Sequence, residues 1–137
     1  MKIQFAILFV LLVAFEPSDA LTFNDKHVIN NLDPKDCTTV MNNRKIKEYN
    51  KCKAINTFIL TDSTTVQNLC TMNGKVTSYN TFTVVICKHD KISPATACVY
   101  KGEKPIKQKI VIDCKAGVPV HLGNQEALVV VLEQTIC

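Results

Sequence analysis

Apolar and polar positions follow three rhythms along this chain of 137 residues. From Phe5 to Phe15 the run is apolar throughout, with Lys2 ahead of it and the small residues Ser18 and Ala20 behind. A bilayer needs ~20 apolar residues, so this run is too short to span one. The order basic, apolar, small predicts a secretory signal peptide over residues 1–20, cut after Ala20. A helical rhythm comes next. Thr22 followed by Asp25 has the form of a capping box, and the short helix it opens carries Phe23 and His27 on one face. Asp33-Pro34 predicts a second helix start, with Cys37, Val40 and Met41 as its apolar face and an end near Asn42-Asn43. Val66, Leu69 and Cys70 repeat that spacing in a third helix, stopped by Asn73-Gly74.

Strand patterns dominate the rest. Ile55 to Leu60, Thr81 to Lys88, Ala97 to Lys101 and Lys109 to Cys114 are rich in β-branched and aromatic residues. Within VPVHLG a two-residue period puts Val118, Val120 and Leu122 on one face and His121 on the other. The run breaks at Gly123-Asn124 and resumes as ALVVVLEQTIC, which reads as a further strand in a tail from about residue 124 to 137. His89, in CKHDK, reads as a turn residue. Lys101, Lys104, Lys107 and Lys109 read as a solvated hairpin. The expected fold class is α+β: one domain over residues 21–137, with three short helices ahead of a bent antiparallel β-sheet.

Composition sharpens this picture in two ways. Without Lys2, Glu16 and Asp19 the chain keeps 15 basic and 10 acidic residues, a net charge of about +5 that favours polyanions or anionic surfaces. All seven cysteines lie beyond the signal segment, at positions 37, 52, 70, 87, 98, 114 and 137. In an exported chain disulfides are their expected use, and six cysteines permit fifteen sets of three bridges. None forms the close CxxC pairs of a structural zinc site, so no metal is expected.

Three basic side chains form the candidate chemistry. His27 lies on the first helix, His121 on a late strand, and Lys53 just ahead of the apolar strand in KCKAINTFIL. Two imidazoles near neutrality supply a general base and a general acid, and an ammonium stabilises negative charge developing at phosphorus. The set suits cleavage of RNA, where the ribose 2′-OH is the nucleophile and neither a metal nor a cofactor is required.

FNDKH, CKAINTF and VPVHLG, in this order and among these cysteines, resemble the three active-site segments of the pancreatic-type ribonuclease superfamily. INTFILTDSTTVQNLC and the terminal cysteine resemble its amphibian branch most. The resemblance implies a pancreatic ribonuclease-like fold and the bridges Cys37–Cys87, Cys52–Cys98 and Cys70–Cys114. It implies His27 as base, His121 as acid, Lys53 as transition-state cation and no cofactor. Thr57 would read the pyrimidine 5′ to the cut, Lys26 would contact phosphate, and Asn56 and Leu122 would complete the substrate-binding set. The implied activity is metal-independent endoribonucleolytic cleavage of single-stranded RNA 3′ of pyrimidines through a 2′,3′-cyclic phosphate, with a host-defence or cytotoxic role. The alternative on the same scaffold is a catalytically weak binding protein, a sialic-acid-binding lectin or antimicrobial factor.

The chain also departs from that pattern. Val111 stands where the amphibian branch carries the partner of its terminal cysteine, which leaves Cys137 unpaired. Leu122 replaces a phenylalanine, and Lys115 replaces an acidic residue that favours guanine 3′ to the cut. The expected partner is RNA, with anionic cell surfaces or sialylated glycans beside it. The expected state is a secreted, extracellular monomer, a dimer through Cys137 or the last strand being the alternative.

Overall fold

The computed structural model describes residues 21–91 and 97–123. The expected signal peptide, the tail strand and Cys137 lie outside the described residues.

Thr22 caps the first helix, α1 (Phe23–His27): its side chain accepts from the Asp25 amide while Asp25 accepts from the Thr22 amide. Both halves of the capping box are therefore made, and the ring centroids of Phe23 and His27 lie 5.1 Å apart on one face. The chain leaves α1 directly into a two-residue strand, β1 (Val28–Ile29). Asp33 and Pro34 open a 3₁₀ turn (Pro34–Asp36) that runs into α2 (Cys37–Asn43). The third helix, α3, spans Ser63–Gln67, a few residues earlier than the Val66–Cys70 spacing predicts. The reason is Asp62, which accepts hydrogen bonds from both the amide and the hydroxyl of Thr65 and so fixes the start.

Between and after the helices run β2 (Lys47–Glu48), β3 (Lys51–Cys52), β4 (Ile55–Leu60), β5 (Gly74–Thr77), β6 (Phe82–His89), β7 (Tyr100–Gly102), β8 (Ile106–Gln108), β9 (Val111–Lys115) and β10 (Val118–Leu122). The larger sheet runs β1-β4-β6-β7, with β8 also on β6; the smaller runs β10-β9-β5. Pairing is antiparallel throughout except that β1 lies parallel to β4. This is the expected α+β class, with the antiparallel part divided between two sheets and a β2–β3 ribbon.

β4 and β6 are buried on both faces, and alternate residues enter two cores. Ile59 and Val84 join Phe23, Val28, Ile112 and Leu122 on one side. Phe58 and Val85 join Leu32, Cys37, Met41 and Tyr100 on the other. Gly102 is required where β7 passes the 3₁₀ turn, since a Cβ there would stand 2.3 Å from the Pro34 carbonyl oxygen. Three disulfides, Cys37–Cys87, Cys52–Cys98 and Cys70–Cys114, tie α2 to β6, β3 to the start of the β7 segment, and the end of the α3 segment to β9.

Three local expectations change. His89 ends β6 rather than forming a turn, because its amide donates to the Ala54 carbonyl and its ring packs on Tyr100. The lysine-rich stretch is not a plain hairpin, since Ile106–Gln108 pairs with β6. The two-residue period of VPVHLG also fails. Val118 and Val120 are exposed while Leu122 is buried, because the ladder shifts between Pro119 and His121.

Candidate active site

His27 sits at the last position of α1, 5% exposed, where the helix packs on β4 and β10. Its Nδ1 donates to the Thr57 carbonyl oxygen at 2.9 Å. In a neutral imidazole that leaves Nε2 with its lone pair. Burial pushes its pKa down to about 3, helped by the cations Lys53 and Lys26 and by His121; the bond to Thr57 opposes the shift. His27 is therefore a neutral acceptor at physiological pH.

Lys53 projects from the junction of β3 and β4. Its ammonium donates to Asn56 Oδ1 at 2.9 Å, and Asn56 Nδ2 donates to the Lys26 carbonyl oxygen at 2.8 Å. Asn56 is wholly buried, so this chain of bonds fixes the lysine head relative to the helix that carries His27. The Lys53 backbone is held as well. Its carbonyl accepts from the Tyr100 hydroxyl at 2.7 Å, Cys52 before it is bridged to Cys98, and the carbonyl of Ala54 after it accepts from His89. Burial raises the Tyr100 pKa while its bond to Lys53 pulls the other way, so the phenol stays a donor.

α1 is secured from outside by Arg44. Its Nη1 donates to the carbonyls of Asn24, Asp25 and Val28 at 3.3, 3.0 and 2.8 Å, and its guanidinium lies 5.8 Å from the Phe58 ring centroid. A cation at the C-terminal end of a helix also complements the dipole.

His121 differs in setting. It is exposed on β10, opposite Asp113 of β9. The β9–β10 hairpin turns on Ala116 and Gly117, with φ of 53° and 80°, the two positive values of a type I′ turn. That turn pairs Val118 with Lys115 and Pro119 with Cys114, and Val120 is then the extra residue of a bulge.

The remaining expected residues are placed as follows. Thr57 is buried on β4, one residue from Asn56. Lys26 is half-buried and lines a cleft of about 770 Å³ with Lys45, Lys47 and Asn50. The Leu122 side chain belongs to the core beneath His121. Asn56 spends both ends of its amide on protein partners, so here it positions Lys53. A cleft of about 840 Å³ beside Asn24, Asp25 and Arg44 holds none of His27, Lys53 and His121. Sequence reasoning missed Arg44, Tyr100 and Thr38, whose hydroxyl bonds both the amide and the carbonyl of Tyr100. Only Tyr100, inside a predicted strand, carried any local signal.

Comparison with known proteins bears on the family and the fold. A family model described as pancreatic ribonuclease matches residues 18–123. An oocytes ribonuclease of Aquarana catesbeiana is 34% identical over 105 residues, covering 75% of this chain and 77% of the relative. Ribonuclease-like 3 of Danio rerio is 32% identical over 110 residues, with 72% and 73% covered. Among solved structures, that of zebrafish RNase5 superposes with a TM-score of 0.65 at 29% identity, covering 72% of this chain and 87% of that one.

Proposed function

The chain belongs to the pancreatic ribonuclease family, and from that premise we propose that it is a secreted endoribonuclease cleaving single-stranded RNA 3′ of pyrimidines. The observation that carries this reading is the neutral, buried His27, with Nδ1 engaged by Thr57 and Lys53 held beside it. His27 Nε2 takes the proton of the ribose 2′-OH. The O2′–P bond forms as the P–O5′ bond breaks, and His121 delivers a proton to the departing O5′. The products are a 2′,3′-cyclic phosphate and a 5′-hydroxyl. The Lys53 ammonium stabilises the charge that builds on the phosphoryl oxygens, an effect that preorganisation makes large. Thr57 reads the pyrimidine, Lys26 contacts phosphate, and Leu122 lines the site below His121.

Export after cleavage at Ala20 accords with the three bridges, which persist in oxidising compartments. No helix among the described residues is long and apolar enough to cross a membrane. The basic surface supports approach to RNA and to anionic cell surfaces, and with it a host-defence role.

The test is cleavage of a fluorogenic uridine-containing oligonucleotide by the oxidised, refolded protein beside His121→Ala. The wild type cuts, and the variant loses about 10²–10⁴-fold in kcat/KM. A folded wild type that leaves the RNA intact would sink the enzyme reading in favour of a glycan- or surface-binding protein.

A further inference from the structure

We propose that Asp113 is a positioning residue for His121, fixing the imidazole's orientation from the neighbouring strand. The inference rests on the ribonuclease reading only for what His121 does, not for the geometry.

The small sheet presents two kinds of row. Val76, Ile112 and Leu122 pair across β5, β9 and β10, and this row enters the core. The next row is Lys75, Asp113 and His121, paired in the same order. Adjacent residues on a strand point to opposite faces, so this second row stands on the outer face. Asp113 is half-buried between two exposed neighbours. Directly opposed residues have Cβ atoms roughly 4.5–5.5 Å apart, within reach of a carboxylate and an imidazole.

The bulge makes this pairing. Counting regularly from Pro119↔Cys114 would set Val120 against Asp113 and His121 against the buried Ile112. That register would drive the imidazole into the core. Val120 as the extra residue moves His121 one place along, onto the face that holds Asp113. Bulges commonly re-aim a side chain in this way. A carboxylate that accepts from an imidazole N–H orients the ring, which an acid that must deliver a proton in one direction requires. Lys75, on the far side of Asp113, and Lys115, two places along β9, are the cations on this face.

The experiment compares wild type, Asp113→Asn and Asp113→Glu, the near-isosteric amide removing charge while leaving the hairpin intact. Two readouts are taken. The first is kcat and KM on uridylyl-adenosine and uridylyl-guanosine. The second is the His121 side-chain rotamer, from NMR couplings in the free protein. The expected result for Asp113→Asn is a loss of about tenfold in kcat on both dinucleotides, a minor part of what an acid supplies. KM stays unchanged, the couplings become averaged, and Asp113→Glu recovers part of both. A change in the adenosine-to-guanosine ratio with unaltered couplings makes Asp113 a substrate contact and overturns the proposal. Unaltered couplings with unaltered rates overturn it too. If the wild type is inert but the couplings still respond to Asp113→Asn, the positioning stands and the ribonuclease reading fails.

Discussion

The two histidines stand on different ground. His27 is enclosed: the residue is 5% exposed, its Nδ1 is taken by the Thr57 carbonyl, and its helix is gripped by Arg44. His121 is exposed on β10 and is aimed by a two-residue turn and one bulge. The enclosed half is set by many buried contacts, so its geometry is part of folding. The exposed half depends on register, and its geometry is separable from folding. A group that must accept a proton gains from burial that keeps it neutral, whereas one that must release a proton and reload gains from solvent.

This contrast is broken or upheld first by paired substitutions. His27→Ala and His121→Ala each lower kcat/KM by about 10²–10⁴-fold. Their effects on folding differ. His27→Ala leaves the Thr57 carbonyl without its donor and costs about 1–3 kcal/mol. His121→Ala, at an exposed position, stays within about 0.5 kcal/mol. Urea unfolding of both at neutral pH measures this. Equal destabilisation would mean that the two halves are not separable.

A smaller effect sharpens the description of the enclosed half. Asn56→Ala removes the acceptor that holds the Lys53 head and the donor that satisfies the Lys26 carbonyl. Misplacing a charge by about 1 Å costs up to ~10²-fold, so a 10- to 100-fold loss of kcat/KM is expected. Stability falls by about 1–3 kcal/mol, since the Lys26 carbonyl loses its partner. Unchanged kinetics with reduced stability would show that Lys53 finds its place without Asn56.

The same contrast explains what the sequence made legible. CKAINTF could be read because part of its geometry is local: Lys53 donates to Asn56 three residues on, directly after the anchoring Cys52. Thr22 with Asp25, and Asp33 with Pro34, were legible for the same reason. Arg44 was not. Its partners are backbone carbonyls 16–20 residues back, which leave no mark in side-chain pattern. β5 and β8 were missed because GKVT and IKQ are short and mostly exposed, made strands by what pairs with them. Asn73-Gly74 read as a stop, yet Gly74 at φ 99° opens β5. The VPVHLG error was one of register. Alternation assumes a regular ladder, and the single extra residue at Val120 lies in the pairing, not in the pattern.

The smallest effect concerns pH and bears on the enclosed half alone. The His27 pKa falls from 6.5 to about 3 on folding, chiefly through burial. Between those values the unfolded chain binds a proton that the folded chain refuses. Stability is therefore unaffected by this group above about pH 6.5 and declines as pH falls from there towards 3. Asp25 and Asp62 act in another window. Hydrogen bonds from the Thr22 and Thr65 amides and hydroxyls hold their carboxyls below the ordinary value of 3.8, so their contribution is lost only beneath it. The interval from about pH 4.5 to 6.5 thus separates the His27 contribution from that of these two carboxyls. His27→Gln, whose side-chain amide can still donate to Thr57, should flatten the decline in urea midpoint across that interval. If the decline survives His27→Gln, His27 is not the desolvated group, and the division between an enclosed base and an open acid loses its electrostatic foundation.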